Sequence, residues 1–435
     1  MKAHHYIHIF LITCFILMIS SCAVRKYIPE DELLLTDSFV EIQLDSLTDI
    51  EDVAALKAQL DLTISPQPNS TFLGMRPGLH YYYKVKRDSG GFIARFMNRK
   101  IGEKPVYLSD VEQEATKDLL RNRLENRGFF FSNITSKTVK NEDQKEGSVT
   151  YNVVLPNPYR LKTYQVDKDS IPFYQVLESQ LTDSPIQVGS RFDLSALTQE
   201  RERIDSNLKA KGYYNFNSGF LIFQADTNQY DNRRFDLYVK LKKDVPTKAI
   251  KPYKIKAVKV YPYNVTGNDS TVMDSVRYAG KDYLQESDFF RPDRLDPFIL
   301  LEPGELYNPS KSRSTSRRLG SIGAYKFVNI EYKELEESND SLNMLEARIY
   351  LSPLNKRAIR AELQAVTKSN DFTGPSLGLT FTNRNLFKGG EVLNIKASGT
   401  YEVQIAGNSD AGQTSTEFDL GADLIFPRMI APINV

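Results

Sequence analysis

The chain has 435 residues, of which 26% are charged and 41% hydrophobic, enough apolar material for about three folded domains. Its 56 basic and 55 acidic residues are well mixed and leave a net charge of +1 with no basic stripe, which argues against nucleic acid as a partner. The histidines are His4, His5, His8 and His80 and the cysteines Cys14 and Cys22, so beyond residue 22 a multi-His or Cys metal site and an intramolecular disulfide are both excluded. No carboxylate cluster stands out either, and neither a metal nor another cofactor is expected.

Residues 1–21 read as a secretory signal: Lys2, an apolar stretch from about Tyr6, and the small residues Ser20 and Ser21 before Cys22. A cysteine at that junction marks a lipoprotein signal, with Cys22 as the lipid-attachment residue. The alternatives are an ordinary signal peptide with an incidental cysteine, or a spanning anchor. The apolar stretch falls short of the about 20 residues a spanning helix needs.

Residues 22–78 form a divergent N-terminal segment, and Leu79–Tyr83, which contains His80, reads as a strand. Three stretches then repeat: Leu124-x-x-x-Gly128-Phe129-Phe130, Leu208-x-x-x-Gly212-Tyr213-Tyr214 and Leu319-x-x-x-Gly323-Ala324-Tyr325. Upstream stand Gly102 and Tyr107, Gly189 and Phe192, Gly304 and Tyr307; downstream each unit closes on alternating runs ending near Leu155, Leu241 and Leu351. Between Ser109 and Arg127, Val111, Ala115, Leu119, Leu120 and Leu124 fall at helical spacing. Ser109 with Glu112 resembles a capping box, and Gly128 is placed to end the helix in the left-handed conformation. Opening strands are predicted at Arg160–Val166 and Tyr253–Val260, and a short helix at Phe173–Leu181. The unit is β-α-α-β-β, giving repeats at 79–158, 159–248 and 252–354, the third enlarged around Tyr263 to Tyr283.

Residues 355–435 lose the helical pattern. Four runs alternate with a period of two: Ile359–Ala365, Leu377–Phe381, Leu393–Val403 and Phe418–Phe426, with a tight turn at Gly389-Gly390. Some are long enough for a membrane strand, which takes about 9–11 residues, yet four strands cannot close a barrel. Either this is the front part of a longer protein or the sheet is soluble, and the first is favoured.

These features together resemble the BamA/TamA-type outer-membrane assembly proteins of the bacterial surface antigen superfamily. The β-α-α-β-β units with Gly-aromatic after the second helix look like POTRA domains. The stretch Asn385-Leu386-Phe387-Lys388-Gly389-Gly390-Glu391 is similar to a first barrel hairpin, and Phe426-Pro427 to a strand end. A lipid-anchored version, with Tyr27-Ile28-Pro29 and Leu33-Leu34-Leu35, is similar to TamL-like lipoproteins. The resemblance implies an α+β fold: tandem POTRA repeats in the periplasm followed by the first strands of a transmembrane antiparallel β-barrel in the outer membrane. It also implies a role in inserting or translocating outer-membrane proteins, with outer-membrane lipid, unfolded outer-membrane or secreted clients, and an inner-membrane or periplasmic partner protein. A secretion transporter of the same superfamily and a lipid-tethered soluble binding module are the alternatives.

In this reading the protein is not an enzyme. Extended clients add as a strand to exposed sheet edges, expected at Phe129–Val139 and Tyr213–Phe223, with Phe129, Phe130, Phe131, Tyr213, Tyr214 and Phe216 as client-binding residues. Gly374-Pro375-Ser376-Leu377-Gly378 has the form of a hydrolase nucleophile elbow, but no histidine follows it to act as base.

Overall fold

Leu34, Leu35 and Val40 are apolar positions of an 11-residue strand, β1 (Leu34–Leu44), that runs parallel to a strand more than 100 residues downstream. The computed structural model describes residues 24–44, 52–72, 74–88, 91–167, 171–230, 232–264, 274–286, 288–336, 342–369, 371–404 and 413–428. Cys22 and the signal expected at 1–21 lie outside them. The chain divides into two bodies. One comprises residues up to Asp167 with Leu181–Glu200 and Phe223–Lys240; the other comprises Lys168–Gln180, Arg201–Ile222 and Leu241 onward.

In the first body, β1 is followed by α1 (Val53–Asp61), α2 (Pro77–Asp88), α3 (Phe92–Ile101) and α4 (Gln113–Glu125). A hairpin of β2 (Asn133–Asn141) and β3 (Glu146–Leu155) completes the sheet, ordered β1-β3-β2. β1, α1, α4, β2 and β3 thus form a β-α-α-β-β unit whose two helices are separated by the α2–α3 insertion. The opening strand therefore lies inside the segment expected to be divergent. Leu79–Tyr83 is helical, not a strand, because α2 lays Leu79 and Tyr83 in one cluster with Val24, Ile28 and Leu34.

The α4 helix also differs from expectation. It starts at Gln113, preceded by a 3₁₀ turn in which the Asp110 carboxylate accepts the Tyr107 N–H at 2.8 Å. Ser109 is no cap; its hydroxyl donates to Glu32 at 2.6 Å. Thr116, Leu120 and Leu124 form the buried stripe, at a spacing of four, while Ala115 and Leu119 face solvent. Gly128 does adopt the left-handed conformation, φ +84°.

The second repeat opens with β4 (Arg160–Val166), parallel to β6 (Arg234–Leu241), and β5 (Leu221–Asp226) is the third strand, in the order β4-β6-β5. Leu161, Leu197, Phe235 and Leu237 are its core in the first body. In the second body lie its short helix α5 (Phe173–Glu178) and the C-terminal part of α6 (Leu194–Ala210), where Phe173 packs on Tyr213 and Phe216.

The third repeat, wholly in the second body, has a five-stranded sheet ordered β10-β11-β7-β9-β8. β7 (Tyr253–Tyr261) is parallel to β11 (Asn343–Pro353), which is antiparallel to β10 (Tyr325–Leu335). The expected insertion contributes a hairpin, β8 (Asp274–Tyr278) and β9 (Lys281–Gln285), turned by Ala279 and Gly280, both at positive φ, as a type I′ turn requires. Helices α7 (Pro292–Leu295) and α8 (Pro309–Gly320) follow. Gly323 is not left-handed, since α8 already ends at Gly320; the third copy keeps the sequence pattern without its conformation.

One feature shared by all three repeats depends on pairing and is not readable from hydrophobicity. Each opening strand bulges near its start: the parallel ladder steps over Thr36 and Lys162 after two paired residues and over Lys256 after three. A bulge twists a strand and re-aims the next side chains.

Beyond the repeats, β12 (Arg357–Thr367), β13 (Phe372–Arg384), β14 (Val392–Gln404) and β15 (Thr414–Ile425) form an antiparallel sheet in sequence order, open at β12 and β15. It is an open sheet of four strands, not a closed barrel. Its register places Ile359, Phe381, Ile395 and Ala422 side by side, and likewise Leu363, Leu377, Gly399 and Phe418. Leu363, Leu377, Leu379, Phe418 and Leu420 on that face are exposed. The other face is polar, with Thr382 bonded to Asn394, Ser376 to Thr400 and Lys396 to Asp423. Ser376 therefore sits in mid-strand and not on a nucleophile elbow. No helix among the described residues is long and apolar enough to cross a membrane.

Candidate client-docking edges and repeat joints

An edge strand offers one row of backbone N–H and C=O groups to an incoming chain. β2 ends the first sheet and pairs only with β3, from Asn133↔Val154 to Asn141↔Glu146, so about four backbone positions point outward. Ile134 fixes the strand to the core, Lys137, Val139 and Lys140 are exposed, and the Gln113 amide of α4 donates to the Thr138 hydroxyl at 3.0 Å. β5 is the corresponding edge of the second sheet, held by buried Leu221 with Ile222 exposed. β10 is the edge of the third, with Phe327 exposed.

These edges begin later than expected, at Asn133 and Leu221, because the residues after each glycine are used elsewhere. Phe129 is fully buried beneath the Arg191 guanidinium, 5.0 Å from its ring centre. Tyr213 and Phe216 are buried against Phe173, and burial raises the pKa of Tyr213. Phe131 is the only one of the six that is strongly exposed, at 82%, and its positive φ of 64° places it in the turn before β2.

Phe130 and Tyr214 occupy equivalent places at the joints between successive repeats. Phe130 meets Tyr159 and Phe192 with ring centres 5.4 Å apart in both cases. Tyr214 meets Tyr253 at 5.5 Å and Tyr307 at 4.9 Å. The backbone repeats too. Tyr159 N–H donates to Gly128 O at 2.9 Å and Tyr253 N–H to Gly212 O at 2.8 Å; Phe192 N–H donates to Tyr159 O at 2.8 Å and Tyr307 N–H to Tyr253 O at 2.9 Å. In the first repeat Leu108 N–H donates to Leu33 O at 2.8 Å, so Leu108 rather than Tyr107 corresponds to Phe192 and Tyr307. The Gly-aromatic signature thus marks a joint: the glycine carbonyl receives the next opening strand and the aromatic fills the space beside it.

At the second joint, Tyr253 Oη accepts from Asn215 at 2.5 Å and donates to Glu334 at 3.0 Å, and Lys248 pairs with Glu334 at 3.2 Å. Burial, then the Glu334 hydrogen bond and charge, push the Tyr253 pKa up to about 12. Burial opposes ionisation of Glu334, but donors from Asn215, Lys248 and Tyr253 prevail and lower its pKa. Among the described residues, no three His, Cys, Asp or Glu side chains are grouped as metal ligands would be.

The Asn385–Glu391 loop between β13 and β14 fastens that hairpin to the third repeat. Asn385 Nδ2 donates to Phe289 O at 2.7 Å, Arg291 N–H donates to Lys388 O at 2.9 Å, and Lys388 pairs with Asp288 at 2.7 Å. Glu391 accepts the N–H groups of Phe387 and Gly389. A side chain at Gly390 would lie 2.6 Å from Ile322 Cγ2.

Residues 97–154, which hold α4, β2 and β3, match the POTRA family, described as the surface antigen variable number repeat. β1 and α1, which complete the fold of this repeat, precede the matched residues. No curated protein matches the chain. Among solved structures it is similar to POTRA domains 3–5 of BamA from Haemophilus influenzae, at 14% identity, covering 75% of this chain and 99% of that one with a TM-score of 0.31. It is also similar to BamA from Haemophilus ducreyi lacking POTRA domains 1–3, at 14% identity, 61% and 47% coverage and TM-score 0.35. CdiB from Acinetobacter baumannii matches at 10% identity, 56% and 40% coverage and TM-score 0.27. The chain spans about half the length of that BamA and 40% of CdiB.

Proposed function

We propose that this protein is an outer-membrane assembly or translocation factor. Its periplasmic repeats receive extended, β-rich clients by strand addition, and its last four strands are part of a barrel in the outer membrane. Cys22, in this proposal, carries a lipid that holds the N-terminal end of the repeat array at the membrane. The process makes and breaks no covalent bond in the client.

The observation that carries this reading is the union, in one chain, of a POTRA repeat with a free edge strand and a sheet whose exposed face is apolar. Strands of 11 to 13 residues meet or exceed the about 9–11 needed to cross a bilayer. Their apolar-out, polar-opposite register is the pattern of a membrane barrel wall, and lipid tolerates such a sheet only once its edges are paired. For clients, backbone pairing at β2 or β5 gives affinity that does not depend on sequence, which suits a factor serving many unfolded chains.

Depletion followed by quantification of outer-membrane proteins tests the reading. Broad loss of β-barrel proteins supports assembly, and loss of one secreted protein alone supports transport. Unchanged levels of both would contradict the proposal.

A further inference from the structure

We propose that α3, in the insertion of the first repeat, is an interfacial helix that docks on an anionic lipid surface. At about 100° per residue, Phe92, Ile93, Phe96 and Met97 fall within one arc of this ten-residue helix. A helix of a folded domain ordinarily turns such an arc inward. Here the buried residue of α3 is Ala94, on the other side, while Phe92 is 83%, Ile93 74% and Phe96 51% exposed.

Charge identifies the occupant. Arg99 and Arg95 line the Phe92 edge of the arc, Lys100 lies within it, and α3 has no acidic residue; Lys84 and Lys86 of α2 are exposed as well. Aromatic and aliphatic side chains bordered by cations bind at the headgroup level of a bilayer, the rings entering the acyl boundary and the cations meeting phosphates. A second copy of this helix would bring like charges face to face, which opposes self-association.

Position agrees with charge. The α2 helix against which α3 packs is fixed to the start of the described chain: Val24 and Ile28 share a cluster with Leu79 and Tyr83, and Tyr27 stacks on Tyr83 at 5.4 Å. Val24 is two residues from Cys22, a reach of at most about 7 Å. The proximity argument rests on the lipid anchor proposed above; the exposed arc and its cations do not. With a lipid on Cys22, α3 becomes a second contact that sets how the first repeat lies against the membrane, and thus how β2 is presented.

The test places p-benzoylphenylalanine, a photoreactive phenylalanine derivative, at exposed Phe92 or Phe96 of the full chain reconstituted in phosphatidylglycerol-containing vesicles. Irradiation is expected to give acyl-chain adducts at both positions and none with the probe at Lys140. The adducts should fall at least tenfold in phosphatidylcholine vesicles, or when Arg95→Glu, Arg99→Glu and Lys100→Glu are combined. Adducts with protein in place of lipid, or lipid adducts indifferent to those changes, would overturn the inference. Intact mass of the wild-type chain reports acylation of Cys22 separately. Unmodified Cys22 with lipid adducts at Phe92 removes only the anchor, and acylated Cys22 without them removes only the α3 contact.

Discussion

Replacing Gly128 by Ala tests whether the Gly-aromatic signature encodes the joint. At φ +84° any L side chain is strained, at about 1–2 kcal/mol. The added Cβ would also stand 2.8 Å from Phe192 O and 3.1 Å from Phe192 Cβ, an overpacking worth about 1–3 kcal/mol. Restriction of the unfolded chain returns about 0.4–1 kcal/mol, leaving a net loss of about 1–5 kcal/mol. Gly189→Ala is the matched control: its φ is +88° but nothing lies within 4 Å of the new Cβ, so only strain remains, at most about 1.6 kcal/mol after the same correction. Hydrogen exchange of the Tyr159 amide, bonded across this joint to Gly128 O, and of the Phe192 amide, bonded to Tyr159 O beside it, reads the difference locally. In Gly128→Ala they should exchange about 5-fold to 2,000-fold faster than in wild type. Equal effects of the two substitutions would refute the joint as the reason for the glycine.

The second joint is expected to respond to pH at both ends. The raised pKa of Tyr253 means that its contribution is complete below pH 10 and is lost as pH rises towards about 12, whereas the lowered pKa of Glu334 gives a contribution present at neutral pH and lost on acidification; thermal melts of wild type against Tyr253→Phe check both limbs. Lys281 is fully buried with Asp296 at 2.9 Å and Glu302 at 2.6 Å. Because those carboxylates keep some solvent, Lys281→Met should destabilise the third repeat by about 1–3 kcal/mol, less than the about 3–5 kcal/mol of a wholly buried pair, as measured by hydrogen exchange of β9. If the apolar face of the last sheet meets lipid, Leu379→Lys should cost about 2–4 kcal/mol near the midplane and reduce the urea-resistant membrane fraction, while Ser398→Lys on the opposite face should not.

Local patterns were legible where they depend on neighbours in sequence. The β4 strand spans Arg160–Val166 as its alternation indicates, and β12 to β15 follow their period of two. β1 was not legible because its partner β3 lies over 100 residues away. Tyr81, Tyr82 and Tyr83 favour strand by propensity, yet they are helical, with Tyr83 stacked on Tyr27, an instance of tertiary context overriding propensity. The repeated glycines and aromatics were visible, but not their work, since Phe130 and Tyr214 act on residues of the next repeat. The Asn385–Glu391 motif likewise stood out in sequence, while its anchorage to Phe289, Arg291 and Asp288 appears only in three dimensions.

Strand addition is tested most directly by disulfide scanning between β2 and a β-rich client. Single cysteines at Lys137, Thr138 and Val139 are paired in turn with cysteines along an extended client segment. Because side chains alternate across a strand, cross-linking is expected at every second client position, moving one step when the β2 cysteine moves one step. Cross-links without that period of two, or none at β2 while the client binds elsewhere on the chain, would contradict docking by strand addition at this edge.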